Sequence, residues 1–179
     1  MAPLAIVPGY GNSGQAHWQT LWMAHFPDSQ RLAPASWTHP DCTDWVSALG
    51  RLLSAFPQPP IIVAHSLGCL AVAHGLNQQP DLAGRISAAM LVAPPDPSGP
   101  YFPADAASFA PLPRGRLPCR SMVVASSDDA YGDVAHAEAT AATWGAELVM
   151  AGPLGHINAA SGLGIWSQGL ILLHRLQAI

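Results

Sequence analysis

Residues 61–76, IIVAHSLGCLAVAHGL, pass from one kind of secondary structure to another without a spacer. Positions 61–64 form an unbroken apolar run, as in a strand covered on both faces. From 66 to 77 the chain reads as an alanine-rich helix. Ser66 stands at the join, with Ala64 two residues before it and Gly68 two after. Small residues at those places let a strand end and a helix start nearly touch, and a serine held in so sharp a turn projects its Oγ above the sheet. The frame departs from G-x-S-x-G by one methyl group, at Ala64. Five residues are a weak signal alone; the apolar run before them and the helix after them give it weight. The competing reading is an ordinary N-cap serine. The start of a helix also favours negative charge developing beside Ser66.

Outward from this stretch the same alternation continues. Strands are predicted at 4–7, 30–33, 61–64, 88–93, 121–126 and 147–150, and helices at 15–26, 43–56, 66–77, 134–144 and 163–177. In 43–56, Trp45, Leu49, Leu52, Leu53 and Phe56 recur at spacings of three and four, and Pro57 stops the helix. In 15–26, Trp18, Leu21, Trp22 and His25 share one side. Such alternation predicts a mostly parallel sheet with helices on both faces. With no internal repeat and no linker, residues 1–179 read as one domain. Residues 94–118 break the rhythm, with eight prolines among them. The segment leaves the C-terminal end of a strand, where open α/β sheets bind ligands. It reads equally as a rigid crossover or as a wall or small lid over a site.

Composition removes several classes. Hydrophobic residues make up 50% and charged residues 10%, with a net charge of −4, which does not fit a disordered chain. All seven basic residues are arginine, and only Arg114, Arg116 and Arg120 lie near one another. Without a basic stripe, nucleic acid is not an expected partner. No positively charged leader precedes the first apolar run, and the apolar stretch 165–173 is too short to span a bilayer, so no membrane association is expected. Three separated cysteines without a C-x-x-C pair fit a reduced, cytoplasmic protein. The eight histidines show neither H-E-x-x-H nor H-x-H spacing, so no metal and no cofactor are expected.

A serine nucleophile requires a base, and the base an orienting acid; on this architecture they follow the serine in the order acid, then histidine. Of the histidines after Ser66, His74 lies two turns into the helix and points away. His136 and His174 lie within helices. His156, in the glycine-bounded loop GPLGHINAA after the strand at 147–150, is placed to reach over Ser66. The acid should follow the strand at 121–126, where SSDDAYGD offers Asp128, Asp129 and Asp133. Asp133 reads as a helix cap. Between Asp128 and Asp129 the residues alone do not decide, and an Asx turn would explain either.

An oxyanion needs backbone donors. The N–H of Leu67 is one, and the loop VPGYGNSG supplies the other, assigned to Tyr10. Gly9, Gly11 and Gly14 let that loop approach a substrate carbonyl. The loop has no lysine and no G-K-[ST], which argues against a phosphate cradle. Tyr101 and Phe102, with Phe109, are the candidates for contact with an acyl chain. Trp18, Trp22, Trp37 and Trp45 read first as packing residues. His17 either hydrogen-bonds near the site or is a satisfied half-buried side chain.

IVPGYGNSGQAHWQTLW, IIVAHSLGC, VVASSDDAYGD and LGHINAASGLGIW together resemble the small α/β-hydrolases of the retinoblastoma-binding protein nine and YdeN type, across nearly the whole chain. The resemblance implies a three-layer α/β-hydrolase-like fold, and 179 residues leave little room for a full cap domain. It implies a triad of Ser66, Asp129 and His156, since the second aspartate of the family's DD motif is the acid. The expected activity is metal-independent cleavage of a small ester, thioester or amide through an acyl-enzyme. The alternatives are a small lipase and a non-catalytic protein-binding module. The L-x-C-x-E motif associated with retinoblastoma proteins is missing here, so that partner is not carried over. The expected partner is a small-molecule substrate.

Overall fold

The computed structural model describes residues 2–178. Its frame is a six-stranded, fully parallel sheet: β1 (Leu4–Val7), β2 (Gln30–Arg31), β3 (Ile61–His65), β4 (Ala88–Val92), β5 (Arg120–Ala125) and β6 (Glu147–Met150), in the order β2-β1-β3-β4-β5-β6. The helices are α1 (Trp18–His25), α2 (Cys42–Ser54), α3 (Leu67–Gln78), α4 (Val134–Trp144) and α5 (Ser167–Gln177). The chain therefore has a three-layer α/β-hydrolase-like fold.

Strand periodicity divides the core in two. Ala5, Val7, Ile62, Ala64, Leu91 and Val123 face α2, α3 and α4. Leu4, Ile6, Ile61, Val63, Met90 and Val124 face α1 and α5. Successive side chains of a strand point to opposite faces, so continuous apolar runs serve both layers. After β1 the chain moves to one neighbour, β2; after β3 it moves the other way, to β4. The crevice between the C-terminal ends of β1 and β3 is thus the switch point where such sheets bind ligands.

The predicted elements all form, with differences at their ends. α1 starts at Trp18 rather than 15, because the His17 side chain accepts from Gln19 N and caps it. Gln19, not Leu21 or His25, shares the buried face with Trp18 and Trp22. α5 starts at Ser167 rather than 163, because Gly164 and Trp166 both take left-handed backbone angles. β2 is only two residues long, paired to Ala5 and Ile6.

The proline-rich segment is pinned rather than free. Phe109 is fully buried and meets Trp45 edge to face at 5.5 Å. Its carbonyl accepts from His74 Nε2 at 2.9 Å, and Ser108 Oγ accepts from Cys42 N at 3.0 Å. Trp144 Nε1 donates to Pro113 O and Trp144 O accepts from Leu117 N. These anchors fit a rigid crossover and a fixed wall alike, and do not fit a lid. Phe109 belongs to the core and not to an acyl groove, which corrects the sequence reading.

Gly68 has no room for a side chain. A Cβ there would lie 2.4 Å from Val7 O and 2.6 Å from Pro8 O, both main-chain atoms that cannot swing aside. Gly68→Ala is expected to destabilise by about 3 kcal/mol, the upper range of overpacking, lowering the melting temperature by roughly 6–12 °C. Gly84→Ala, whose Cβ would meet nothing within 4 Å, is the control and should leave it within about 2 °C. Equal melting temperatures for the two variants would refute the crowding.

Candidate active site

Ser66 occupies the turn between β3 and α3 with φ 53° and ψ −126°. A non-glycine residue pays strain for a positive φ, so its surroundings must hold it there. Ser66 N donates to Val92 O at 2.9 Å, and Ser66 O accepts from Cys69 N at 2.8 Å. The contact of Gly68 with Val7 and Pro8 fixes the other side. Gly9 follows directly: a Cβ there would sit 2.8 Å from Ser66 Cβ and 3.3 Å from Ser66 Oγ. The loop after β1 therefore reaches the serine only through a bare backbone.

The loop after β6 brings His156 over this turn. His156 Nε2 lies 2.8 Å from Ser66 Oγ, and Nδ1 lies 2.8 and 3.0 Å from the two Asp129 oxygens. Asp129 also accepts from Tyr131 N and is buried. Asp128 points elsewhere. Its Oδ1 accepts from Ser126 Oγ and from Gly155 N, each at 2.7 Å. Ser126 Oγ also accepts from Leu154 N. These bonds hold the Asp128 carboxyl below its ordinary value and tether the residues just before His156. Asp133 caps α4 by accepting from His136 N.

Other supports were not read from the sequence. His65 Nε2 donates to His156 O at 2.9 Å, so the residue before the serine holds the histidine's main chain. Trp18 Nε1 donates to Ile157 O at 2.8 Å. The Tyr131 ring lies on the His156 ring, centroids 4.4 Å apart. Arg31 donates to Asn12 Oδ1 and Ser13 O, and Gln19 Nε2 donates to Val7 O and Val63 O. These last bonds brace the loop after β1. Apart from Arg31 these residues lie within the quoted stretches, but their partners lie in other segments of the chain, which no local pattern discloses. The one available signal was the polar Gln19 inside an apolar helix.

Both residues expected to supply oxyanion donors line the cleft together with Ser66. Leu67 opens α3, so its N–H has no intrahelical acceptor. In the Tyr10 loop, Gly11 N donates to Trp37 O and Asn12 N to Gly9 O; among the described residues the Tyr10 amide makes no such bond. The Tyr10 hydroxyl bonds Thr38 O and Asp105 Oδ2, tying the loop to the proline-rich wall. A cleft of about 320 Å³ opens over the site. Gly9, Tyr10, Ser66, Leu67, Phe102 and His156 line it. Gly11 and Tyr101 do not: Gly11 is exposed beside Trp37, and Tyr101 is 64% exposed, edge-on to Tyr131. Both were expected at the substrate. The exposed glycine serves the turn, with φ 75°, and the neighbouring Phe102 turns inward instead. Among the described residues no group of three or more His, Cys, Asp or Glu could hold a metal ion. Nor is any of their helices long and apolar enough to cross a membrane.

Burial sets the charge of two histidines. His17 is lowered to about 4, first by burial, then by the Arg31 and His156 charges. His65 is pushed far below its ordinary value, again mainly by burial. For a histidine lowered on folding, the unfolded chain binds the extra proton, so stability rises with pH through this window. Stability is therefore expected to fall as pH drops from about 6.5 towards 4, by on the order of 3 kcal/mol for His17 alone. Chemical denaturation of wild type and His17→Asn, which keeps a capping side chain, should show a shallower slope in the variant. Identical slopes would mean that His17 is not buried neutral.

The serine hydrolase family model matches residues 4–175. A solved structure of a YdeN-like hydrolase from Pectobacterium atrosepticum is 35% identical, covering 97% of this chain and 89% of that one, with a TM-score of 0.86. The ydeN gene product of B. subtilis is 20% identical over the whole of both chains, with a TM-score of 0.81. A thermophilic esterase from Thermogutta terrifontis shares the fold at 12% identity and a TM-score of 0.71, over 98% of this chain and 90% of that one. Comparison with curated protein sequences gives no match. A family match spanning almost every described residue, joined to a YdeN-like relative at more than a third identity, makes this chain a member of the serine hydrolase family.

Proposed function

We propose that the protein cleaves small, uncharged carboxylic esters, and thioesters or amides of the same size, through an acyl-enzyme on Ser66. The observation that carries the proposal is the continuous relay from Ser66 Oγ through both ring nitrogens of His156 to the buried Asp129. Ser66 Oγ attacks the carbonyl carbon while His156 Nε2 takes its proton. Asp129 keeps the Nδ1–H tautomer and stabilises the imidazolium. The N–H groups of Leu67 and Tyr10 receive the oxyanion, the first aided by the start of α3. The imidazolium then protonates the leaving alcohol, and water releases the acid by the same steps in reverse.

Substrate size and charge follow from the cleft. Its lining holds no Lys, Arg, Asp or Glu, and its volume suits a compact molecule. Of the three candidates for a lipase's acyl groove, Phe109 lies in the core and Tyr101 is exposed, so only Phe102 remains on the cleft.

A fluorophosphonate probe is expected to modify Ser66 alone and not to label Ser66→Ala. Asp129→Asn should lower kcat on a p-nitrophenyl ester by roughly 10³–10⁴-fold with the fold intact. Asp128→Ala should instead act on stability, by about 1–2 kcal/mol for the lost tethers, with less than about tenfold change in kcat. Labelling that persists in Ser66→Ala, or an inactive Asp128→Ala beside an active Asp129→Asn, would overturn the assignment.

A further inference from the structure

The cleft has two unlike halves. The wall formed by the loops after β4 and β5 is apolar or aromatic: Pro95, Phe102, Pro103 and Tyr131. These two loops are joined by Asp96 N donating to Tyr131 O. The other half comes from the loops after β1 and β6, joined by Trp18 Nε1 donating to Ile157 O. It contributes Asn12, Gly14, His17 and Asn158 to the lining.

On this second half several acceptors are already in use. Asn12 Oδ1 accepts from Ser13 N and Arg31. Asn158 Oδ1 accepts from Ala160 N. The carbonyls of Gly9, Gly14, Asn158 and Ala159 accept from Asn12, His17, Ser161 and Gly162. The carbonyl of His156 accepts from His65. With both side-chain oxygens fixed by donors, the amide NH2 groups of Asn12 and Asn158 remain to be offered.

His17 is the decisive member. It is 4% exposed and lines the cleft. Its Nδ1 accepts from Gln19 N, so in the neutral ring the proton sits on Nε2. That Nε2 is buried and has no protein partner. A buried donor without a partner costs stability, and such groups recur where a ligand supplies the missing acceptor.

We propose that His17 Nε2–H, with the side-chain NH2 groups of Asn12 and Asn158, forms a donor subsite for an acceptor oxygen of the substrate beyond the scissile carboxyl group. The inference rests on the esterase reading of the same cleft and narrows it. The favoured substrate carries a second oxygen function, while its hydrocarbon part lies on the Pro95–Phe102–Tyr131 wall. The subsite presents N–H donors, so neutral acceptor oxygens, ether or carbonyl, are preferred.

Matched substrates of equal length test this. On the acyl side the pair is p-nitrophenyl pentanoate and p-nitrophenyl β-methoxypropanoate; on the alcohol side it is the n-butyl and β-methoxyethyl esters of butyric acid. The mono-p-nitrophenyl ester of succinic acid separates a carboxylate from a neutral oxygen. Wild type is expected to favour the oxygen-bearing member of one pair, with the difference in KM. In His17→Asn and His17→Ser, both of which retain a capping side chain, that preference should fall at least tenfold. A preference unchanged in the variants, or an equal loss on both members of each pair, overturns the subsite. Where the variants do not fold, the imidazole spectrum of the wild type decides. The His17 Nε2–H resonance should move downfield with β-methoxyethyl methyl ketone and not with butyl methyl ketone, and equal shifts would refute the proposal. Fluorophosphonate labelling of Ser66 in wild type is read alongside, so that failure of the esterase reading is seen separately.

Discussion

The close crossing of β1 and α3 governs this molecule. Val7 and Pro8 carbonyls press against Gly68, leaving no volume for a side chain. Such proximity requires a turn of one residue between β3 and α3, and Ser66 takes it at a positive φ. The same crossing brings Gly9 against Ser66, so the loop after β1 and the serine share one small space. The sheet makes the arrangement possible. β1 and β3 are neighbours whose following elements leave towards opposite edges, and the crevice between them opens where the serine emerges.

The polar groups around the serine are held in successive layers. His156 reaches Ser66 and Asp129 through its ring, but its main chain is set by other residues: His65 and Trp18 on one side, Ser126 and Asp128 on the other. A histidine whose loop is held by four bonds has little freedom to leave its geometry, which is what preorganised proton transfer requires. Burial keeps His65 and His17 uncharged, so neither repels an imidazolium forming on His156. The cost is sensitivity to acid, since both neutral rings must resist protonation in a dry environment.

How far the sequence discloses this depends on the range of each interaction. The turn at Ser66 was legible because its requirements are local: an apolar run, two small residues and a helix. His156 followed from its place in a loop after a strand, and Asp133 from its place before a helix. The Asp128 and Asp129 pair was not separable by local physics, because both leave a strand end within one turn. Only the position of the β6 loop distinguishes the carboxylate facing Nδ1 from the one facing Gly155 N. The roles of His65, Gln19, Arg31 and Tyr131 were not legible for the same reason. Their partners lie in other loops, and no spacing rule links residue 65 to the carbonyl of residue 156. Tyr101 and Phe102 illustrate a finer limit. Adjacent aromatics in an irregular segment carry no period, so nothing local tells which one turns inward.

The central claim is that Ser66 carries the acyl group during turnover. Rapid mixing with p-nitrophenyl acetate, quenching in acid and mass spectrometry of the digested protein tests it directly. The account predicts a burst of p-nitrophenol approaching one per protein and a single acetyl group on the peptide containing Ser66, lost on longer incubation in buffer. Turnover of the ester with no acetyl-enzyme at any time, or acetyl found on another residue with Ser66 unmodified, would contradict it.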